Sequence, residues 1–274
     1  MIRQILSFAD DAERAMPFVK TLLSIAERTD AHTQIGVLTA APMLVPKLAP
    51  IGTLFVLDPV LRAEAEQQIE QLRVLAAGAA HAIEIWGVHD SVRWLAADIR
   101  DTWHLGDLVV IGPPETWRTP WLRRRLIETQ LIGGGTPIVL LPPEQTLPPI
   151  RRAVLGWKPS AESCRVMHDL IALAEPSAHI DVVTVGPAPQ NLPGDELPGS
   201  GIEAFLTRHG FTVEMNRFDD GGLTADQLRA FALSRRADVL AIGGFAHSRV
   251  REIILGGVTR SIIDDPCVPV LMTH

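Results

Sequence analysis

A glycine-containing segment in the second half of the chain is the part of the sequence best suited to chemistry. It starts at Gly243, directly after the apolar run 239–242, and continues to Gly256, Gly257 and Thr259. A glycine lets the backbone turn sharply and approach a ligand without an intervening side chain. A helix that opens at the two later glycines would offer free N–H groups and the positive end of its dipole to a phosphate. Taken alone, such glycines are more often ordinary turn residues. They indicate a phosphate site only if the rest of the sequence supports one.

Patterns of catalytic residues are scarce. The sequence has no G-x-x-x-x-G-K-[ST] loop, no G-x-G-x-x-G, no H-E-x-x-H and no G-x-S-x-G. His247 and Ser248 are adjacent, and adjacent residues rarely present both side chains to one substrate atom. The nine histidines show no i, i+4 pair on an evident common face, which gives a metal site little support. The sequence therefore favours a binding protein over an enzyme.

Length and composition are those of a globular protein with about two domains. The chain has 274 residues, of which 47% are hydrophobic and 21% charged, and this excludes wholesale disorder, collagen-like repeats and coiled coil. The net charge of −7 argues against a nucleic-acid-binding surface. Cys164 and Cys267 match no metal spacing and are expected to be small buried hydrophobes in a reducing cytosol.

No signal peptide or membrane segment is expected. The N-terminus reaches acidic residues after one short apolar stretch, which is typical of a first strand. The most apolar region, 39–57, is interrupted by prolines that forbid a continuous spanning helix.

The sequence contains an internal duplication. Residues 2–6 return as 150–154, 31–38 as 178–185, 107–112 as 238–243, and 136–140 as 268–272. The order of the four segments is kept, with small length changes between them. This predicts two similar domains, 1–147 and 148–274, joined by a proline-rich linker at 142–149.

Each half alternates short apolar runs with longer helical patterns. Strands are predicted near 3–8, 33–39, 83–87, 107–112 and 137–141, and again near 151–157, 179–185, 211–217, 238–243 and 268–273. Helices are predicted near 12–29, 59–81, 89–102 and 121–133, and again near 160–174, 200–209, 223–236 and 257–264. Strands that are apolar on both faces are typical of a parallel sheet covered by helices. The fold class is therefore α/β, with two tandem, doubly wound, five-strand parallel-sheet domains.

In this setting the glycine segment resembles the nucleotide loop of the universal stress proteins. The shared pattern is glycine, two residues, glycine, nine residues, glycine and then a small or hydroxyl residue, between the last two strands. The run HSRVREIILGGVTR followed by CVPVLMTH is similar to tandem members of that family. The resemblance implies a Rossmann-like, cytoplasmic and usually dimeric stress protein, and many such proteins bind ATP or AMP.

The family's pocket maps onto the second half. The resemblance implies a phosphate loop at Gly243, Ala246, His247, Arg249, Gly256, Gly257, Val258 and Thr259, and an adenine wall at Thr184 and Val185. Ala246 stands in place of the second glycine. Lys158 stands where nucleotide-binding members usually carry an aspartate; it either replaces a metal ion in neutralising phosphate, so that magnesium is not essential, or marks an abandoned site.

The first half has lost the motif. Gly112 is followed by two prolines, which remove backbone donors, and arginines 124 and 125 replace the late glycines. Asp10, the equivalent of Lys158, alone survives, so no nucleotide is expected in this half. The arginines at 118, 123, 124 and 125 could hold an acidic partner, but a solvated helix face paired with glutamates 115 and 128 is favoured.

Three functions are compatible with these features. The leading hypothesis is a stress-response regulator with one adenine-nucleotide site in the second half. The second is a nucleotide-free scaffold that dimerises and binds protein partners through the apolar loop 42–57. The third is a weak adenine-nucleotide hydrolase that would rely on Asp10, Lys158 or His247.

Two further expectations concern packing. The last strands of the two halves, 137–141 and 269–273, are apolar edges that we expect to meet in an intramolecular pseudo-dimer, and a homodimer is also possible. The apolar connection 40–59 is expected to be ordered, over the first-half cleft or at an interface.

Overall fold

A computed structural model describes residues 2–41, 53–77, 83–91, 104–143, 146–185, 198–218, 225–244 and 257–274. Contacts divide the chain into two compact units, Ile2–Thr136 and Pro137–His274. The predicted domain boundary after residue 147 follows the sequence repeat, and it stays a prediction.

The first unit is a parallel sheet with helices in the connections between its strands. Its elements are β1 (Gln4–Ala9), α1 (Ala12–Thr29), β2 (His32–Ala41), α2 (Thr53–Ala76), β3 (Ile83–Ser91), β4 (Leu108–Ile111), a 3-10 turn (Pro114–Thr116) and α3 (Pro120–Gly133). The strand order is β3-β2-β1-β4, and each neighbouring pair is parallel. Strand order therefore reverses on the two sides of β1.

Helix α1 shows how the sequence sets these elements. The Asp11 side chain accepts a hydrogen bond from the Arg14 N–H and caps the first turn. Asp30 ends the helix in the left-handed region, with φ of 52°. Between these caps the helix buries an apolar stripe that includes Phe18 and Leu22.

The second unit repeats this plan. Its elements are β5 (Ile138–Leu140), β6 (Ile150–Gly156), α4 (Ala161–Leu173), β7 (Ala174–Val185), α5 (Pro198–Arg208), β8 (Thr212–Phe218), α6 (Ala225–Ser234), β9 (Val239–Gly243), α7 (Gly257–Asp264) and β10 (Val270–Thr273). The strand order is β5-β10-β9-β6-β7-β8. The pairs from β10 to β8 are parallel, and β5 lies antiparallel to β10. Here strand order reverses on the two sides of β6. The fold class is confirmed as α/β of the tandem, doubly wound type.

The same carboxylate clamp occurs in both units. The Oδ2 atom of Asp107, just before β4, accepts hydrogen bonds from the N–H groups of Arg3 at 2.8 Å and Gln4 at 3.0 Å. Asp238, just before β9, accepts from the N–H groups of residues 151 and 152, both at 2.8 Å. Each clamp fixes the start of the first strand against the start of the fourth, and the two aspartates occupy equivalent positions of the duplicated sequence.

The last strands of the two sequence repeats lie side by side. The repeat assigns β5 to the first half, yet β5 belongs to the second compact unit as its edge strand. Leu140 pairs with Val270, and Ile138 pairs with Met272. The expected meeting of these strands is observed, whereas packing of the halves about a pseudo-two-fold axis stays a prediction.

Three predicted boundaries are wrong. Helix α2 begins at Thr53 and ends at Ala76 instead of covering 59–81, because Pro59 is accommodated inside it, as Pro17 is inside α1. The last part of the predicted loop 40–59 is therefore helical, and residues 42–52 lie outside the described residues.

The other two concern strands. The predicted helix 89–102 is wrong at its start, because residues 89–91 belong to β3 and pair with β2 through Ala41. Residues 92–102 lie outside the described residues. Strand β7 starts at Ala174, earlier than the predicted 179, and Ala174 pairs with Ile150. Among the described helices, none combines the length and apolar character needed to cross a membrane.

Gly36→Ala should destabilise the protein. A Cβ at this position in β2 would lie 2.7 Å from the Phe8 ring, and Phe8 is only 1% exposed and cannot move aside. Overpacking of this kind costs about 1–3 kcal/mol of unfolding free energy. Gly201→Ala in α5 is the matched control: its Cβ would meet no described atom within 4 Å, so the helix should gain about 1 kcal/mol. Thermal denaturation of both variants tests this, and similar shifts in both would contradict the packing.

Candidate functional site

The candidate site lies at the carboxyl ends of β6 and β9. Ligands of open parallel sheets bind at this edge, where strand order reverses. The two strands are neighbours, with Gly156 paired to Ile242. The chain therefore leaves both strands at the same edge of the sheet, at Trp157 after β6 and at Gly244 after β9.

Gly243, the last residue of β9, brings the start of α4 close to the sheet. An added Cβ would lie 3.0 Å from the carbonyl carbon and the Cβ of Glu162 and from the backbone nitrogen of Ser163. Ser160 caps α4 by accepting a hydrogen bond from the Ser163 N–H at 3.2 Å. Glycine is thus required here for helix packing, in addition to any contact with a ligand.

Helix α7 lies in the connection between the parallel strands β9 and β10. It begins at Gly257, as predicted, and Gly257 is exposed, so that a Cβ there would meet no described atom within 4 Å. Val258 and Thr259 follow in the first turn and are half-buried. The first-turn N–H groups of a helix have no intrahelical acceptor, and the positive end of the dipole favours an anion. The predicted residues Ala246, His247, Arg249 and Gly256 lie outside the described residues.

The segment after β6 runs toward the end of β7. The Trp157 N–H donates to the carbonyl oxygen of Val183 at 2.8 Å. Lys158 follows and is exposed; across from it, Thr184 is half-buried and Val185 is 44% exposed. The structure thus brings the predicted lysine and the predicted adenine wall to neighbouring strand ends.

Trp157 adds a group that sequence reasoning missed. Its indole Nε1 atom is buried and has no hydrogen-bond partner among the described residues. A buried donor without an acceptor costs about 1–3 kcal/mol, so such groups usually meet a water or a ligand. The only sequence signal for this group is an aromatic residue placed directly after the carboxyl end of a strand.

At the corresponding edge of the first unit, charged side chains pair with one another and with backbone N–H groups. Asp10, directly after β1, is 4% exposed and accepts hydrogen bonds from the backbone N–H groups of Arg118 and Thr119. The Arg118 guanidinium pairs with Glu64 at 2.9 Å and with Asp11 at 3.5 Å. This pairing ties the segment before α3 to α1 and α2.

The predicted solvated arginine face of α3 is partly wrong. Arg125 pairs with Glu128 at 3.9 Å, as expected. Arg123 is instead 2% exposed, and its Nε atom donates to the Gly112 carbonyl oxygen at 2.8 Å. Because α3 starts at Pro120, the arginines at 124 and 125 lie inside the helix and not at its N-terminus.

A buried charged cluster in the second unit was not predicted. Asp181 in β7 is 0% exposed. Its Oδ2 atom lies 3.0 Å from an Arg152 Nη atom, and its Oδ1 atom lies 3.4 Å from Arg235 Nε. Arg235 also bonds to Glu214 at 2.5 Å. The only sequence signal was one aspartate between the apolar residues Ile180 and Val182.

The same cluster could be mistaken for a metal centre. His179, Asp181 and Glu214 bring ligand atoms within 4.8 Å of one another. Two guanidinium groups already neutralise the two carboxylates, however, and a divalent cation would be repelled by them. We assign the cluster to the stability of the fold.

Asp181→Asn should destabilise the protein, because the half-buried guanidinium groups of Arg152 and Arg235 lose a shared counterion that is itself fully buried. Removing one partner of a buried ion pair costs about 3–5 kcal/mol, and the partial exposure of both arginines should bring the loss to the lower end of that range. Asp226→Asn is the control: Asp226 is paired with Arg229 at 2.8 Å, but its side chain is 89% exposed, and the loss should stay below about 1 kcal/mol. Denaturant unfolding measures both. A rise in the melting temperature of the parent protein with zinc would contradict the structural assignment.

Comparisons with known proteins identify the fold. No protein-family model matches the sequence, and no curated protein matches it. A universal stress protein from Archaeoglobus fulgidus matches at a TM-score of 0.70 and 13% identity, covering 99% of this chain and 96% of that one. A candidate universal stress protein from Pseudomonas aeruginosa matches at a TM-score of 0.56 and 15% identity, covering 99% and 93%. A functionally unknown protein from the PAO1 strain of the same species matches equally well, covering 99% and 92%.

Because these sequence identities are low, the structural similarity shows the fold alone. Each match extends over both units of this chain and over nearly all of the matched protein. The resemblance recognised in the sequence is thus supported by structure over the full length, and the chain has the fold of the tandem universal stress proteins.

Proposed function

We propose that the protein binds one adenine nucleotide, ATP or AMP, in its second half and acts as a nucleotide-dependent stress-response regulator. The feature that carries the proposal is the start of α7 at Gly257, in the connection that leaves the carboxyl end of β9. Among the described residues no atom would meet a Cβ at Gly257, and the first N–H groups of the helix have no intrahelical acceptor. A phosphate group fits such a site by charge and by hydrogen bonding.

Three neighbouring features support a nucleotide over a bare anion. Lys158 supplies a positive charge near the phosphate. The indole N–H of Trp157 offers a buried donor to a base or ribose acceptor. Val185 leaves an apolar surface, 44% exposed, that suits one face of an adenine ring. Together these groups match the phosphate, polar and aromatic parts of one ligand.

The proposed regulator is cytoplasmic, and its partners in this proposal are the nucleotide and a second copy of the chain or another protein. Catalysis is not part of the proposal, because the described residues place no activated nucleophile or base beside α7. The nucleotide-free scaffold remains the alternative.

ATP or AMP should raise the melting temperature of the parent protein. Ligand at about 100 times its dissociation constant stabilises a fold by roughly 2.7 kcal/mol, a shift of several degrees for a chain of this size. Gly257→Glu should abolish the shift without unfolding the protein, because the carboxylate would occupy the same donors. Gly201→Glu is the control: Gly201 lies in helix α5, where a Cβ would also meet no described atom within 4 Å, and this variant should keep the ligand-induced rise in melting temperature. Mass spectrometry of small molecules released by heating provides a second readout. Absence of both nucleotide and shift in the parent would favour the scaffold.

Lys158→Asp tests the role of the lysine charge. If Lys158 replaces a metal ion, the parent binds ATP without magnesium and the variant binds ATP only when magnesium is added. Isothermal titration with and without magnesium measures this. If ATP binding by the parent and by the variant depended equally on magnesium, the idea that Lys158 replaces a metal ion would be contradicted.

A further inference from the structure

We infer that Arg229 positions helix α7 and thereby sets how well the N–H groups at Gly257 can hold a phosphate. Arg229 lies on α6, and its side chain contacts the carboxyl end of α7, whereas the proposed ligand lies at the amino end. The inference rests on the proposed function and deepens it, because it names a positioning residue that acts on nucleotide affinity from outside the site.

The Arg229 guanidinium bonds to two residues at the carboxyl end of α7. Its Nε atom donates to the carbonyl oxygen of Asp265 at 2.9 Å. Its Nη2 atom donates to the carbonyl oxygen of Ser261 and, at 3.1 Å, to the hydroxyl oxygen of the same residue. Its Nη1 atom donates to Asp226, on its own helix, at 2.8 Å. Each nitrogen of the planar group therefore has an acceptor, and together these acceptors fix its orientation.

Arg229 also supplies a charge that α7 lacks. The last turn of α7 contains no basic residue, and Asp264 places a negative charge there. The carbonyl oxygens at this end carry the negative end of the helix dipole, so a cation beside them is favourable. The Arg229 side chain is only 12% exposed, and solvent ions screen its attraction less than they screen a surface pair. The contact thus joins α7 to α6 by charge as well as by hydrogen bonds.

The amino half of α7 is held less firmly by packing. The buried side chains of the helix, Ile262 and Ile263, both lie in its second half, while residues 257–260 are exposed or half-buried. The helix has eight residues and is therefore about 12 Å long. A tilt of about 5° around its carboxyl end would move the first N–H groups by about 1 Å, which is enough to weaken a hydrogen bond. The contacts of Arg229 oppose such a tilt.

The test compares Arg229→Gln with Arg235→Gln by isothermal titration with ATP and with AMP, at a temperature at which both variants are folded. Arg229→Gln should lower the nucleotide affinity about tenfold, as expected when one hydrogen bond to a charged group is weakened. Arg235 is the matched control, because it follows the same helix but pairs with Asp181 on β7 and Glu214 on β8. Its loss should lower the melting temperature and leave the nucleotide affinity unchanged.

The outcomes separate this inference from the proposed function. If the parent binds nucleotide and Arg229→Gln binds it equally well, the inference fails and the proposed function stands. If both arginine variants lose the same affinity, the loss reflects general destabilisation, and the inference again fails alone. A parent protein that binds neither ATP nor AMP overturns the proposed function and this inference with it.

A measurement on the parent protein covers the case in which Arg229→Gln does not fold. The Arg229 Nε proton is donated to a carbonyl oxygen in a largely buried side chain, so it should exchange slowly enough to give its own NMR signal. Saturating nucleotide should shift this signal, because one short helix joins the ligand to the guanidinium, whereas the Arg235 Nε signal should stay unchanged. An Arg229 signal that bound nucleotide does not move would overturn the inference.

Discussion

The reversal of strand order around the first strand of each unit is the constraint on which the rest of the structure depends. β1 lies between β2 and β4, and β6 lies between β7 and β9, so each first strand has a parallel neighbour on both sides. A carboxylate clamp fixes this arrangement at the amino ends, through Asp107 in one unit and Asp238 in the other. The chain then leaves the carboxyl ends of the first and fourth strands at one edge of the sheet. In open parallel sheets this is the edge at which ligands bind.

Periodicity and local signals were sufficient to predict most of the framework. Helix α1 was predicted with both of its ends, since Asp11 caps it and the apolar stripe sets its length. The start of α7 at Gly257 was also predicted. The errors lie where tertiary contacts override a local signal. Pro59 does not begin α2, and β3 runs on to Ser91 because β2 continues beside it and supplies backbone partners.

Charged residues were harder to assign than apolar ones. Arg123 was predicted on a solvated face, yet it is buried and donates to the carbonyl oxygen of Gly112. Asp181 was not singled out, although two arginines converge on it. Arg123 meets a backbone carbonyl outside its own helix, and Asp181 meets two arginines from other segments, so neither contact has a signal in one sequence. Gly243 shows a related ambiguity: the motif predicted a ligand contact there, and the structure adds a packing requirement that would select glycine without any ligand.

The clamps also explain how two halves with one fold can diverge at their crevices. Asp107 and Asp238 act at the amino ends of the strands, whereas Asp10 and Lys158 follow the carboxyl ends. Because strand pairing is fixed at the opposite edge, a change of charge after the first strand leaves the sheet intact. Asp10 accepts from the N–H groups before α3, and the exposed Lys158 stands at the equivalent position of the second unit. The framework requires only that buried donors find an acceptor, and the chain or a ligand can provide it.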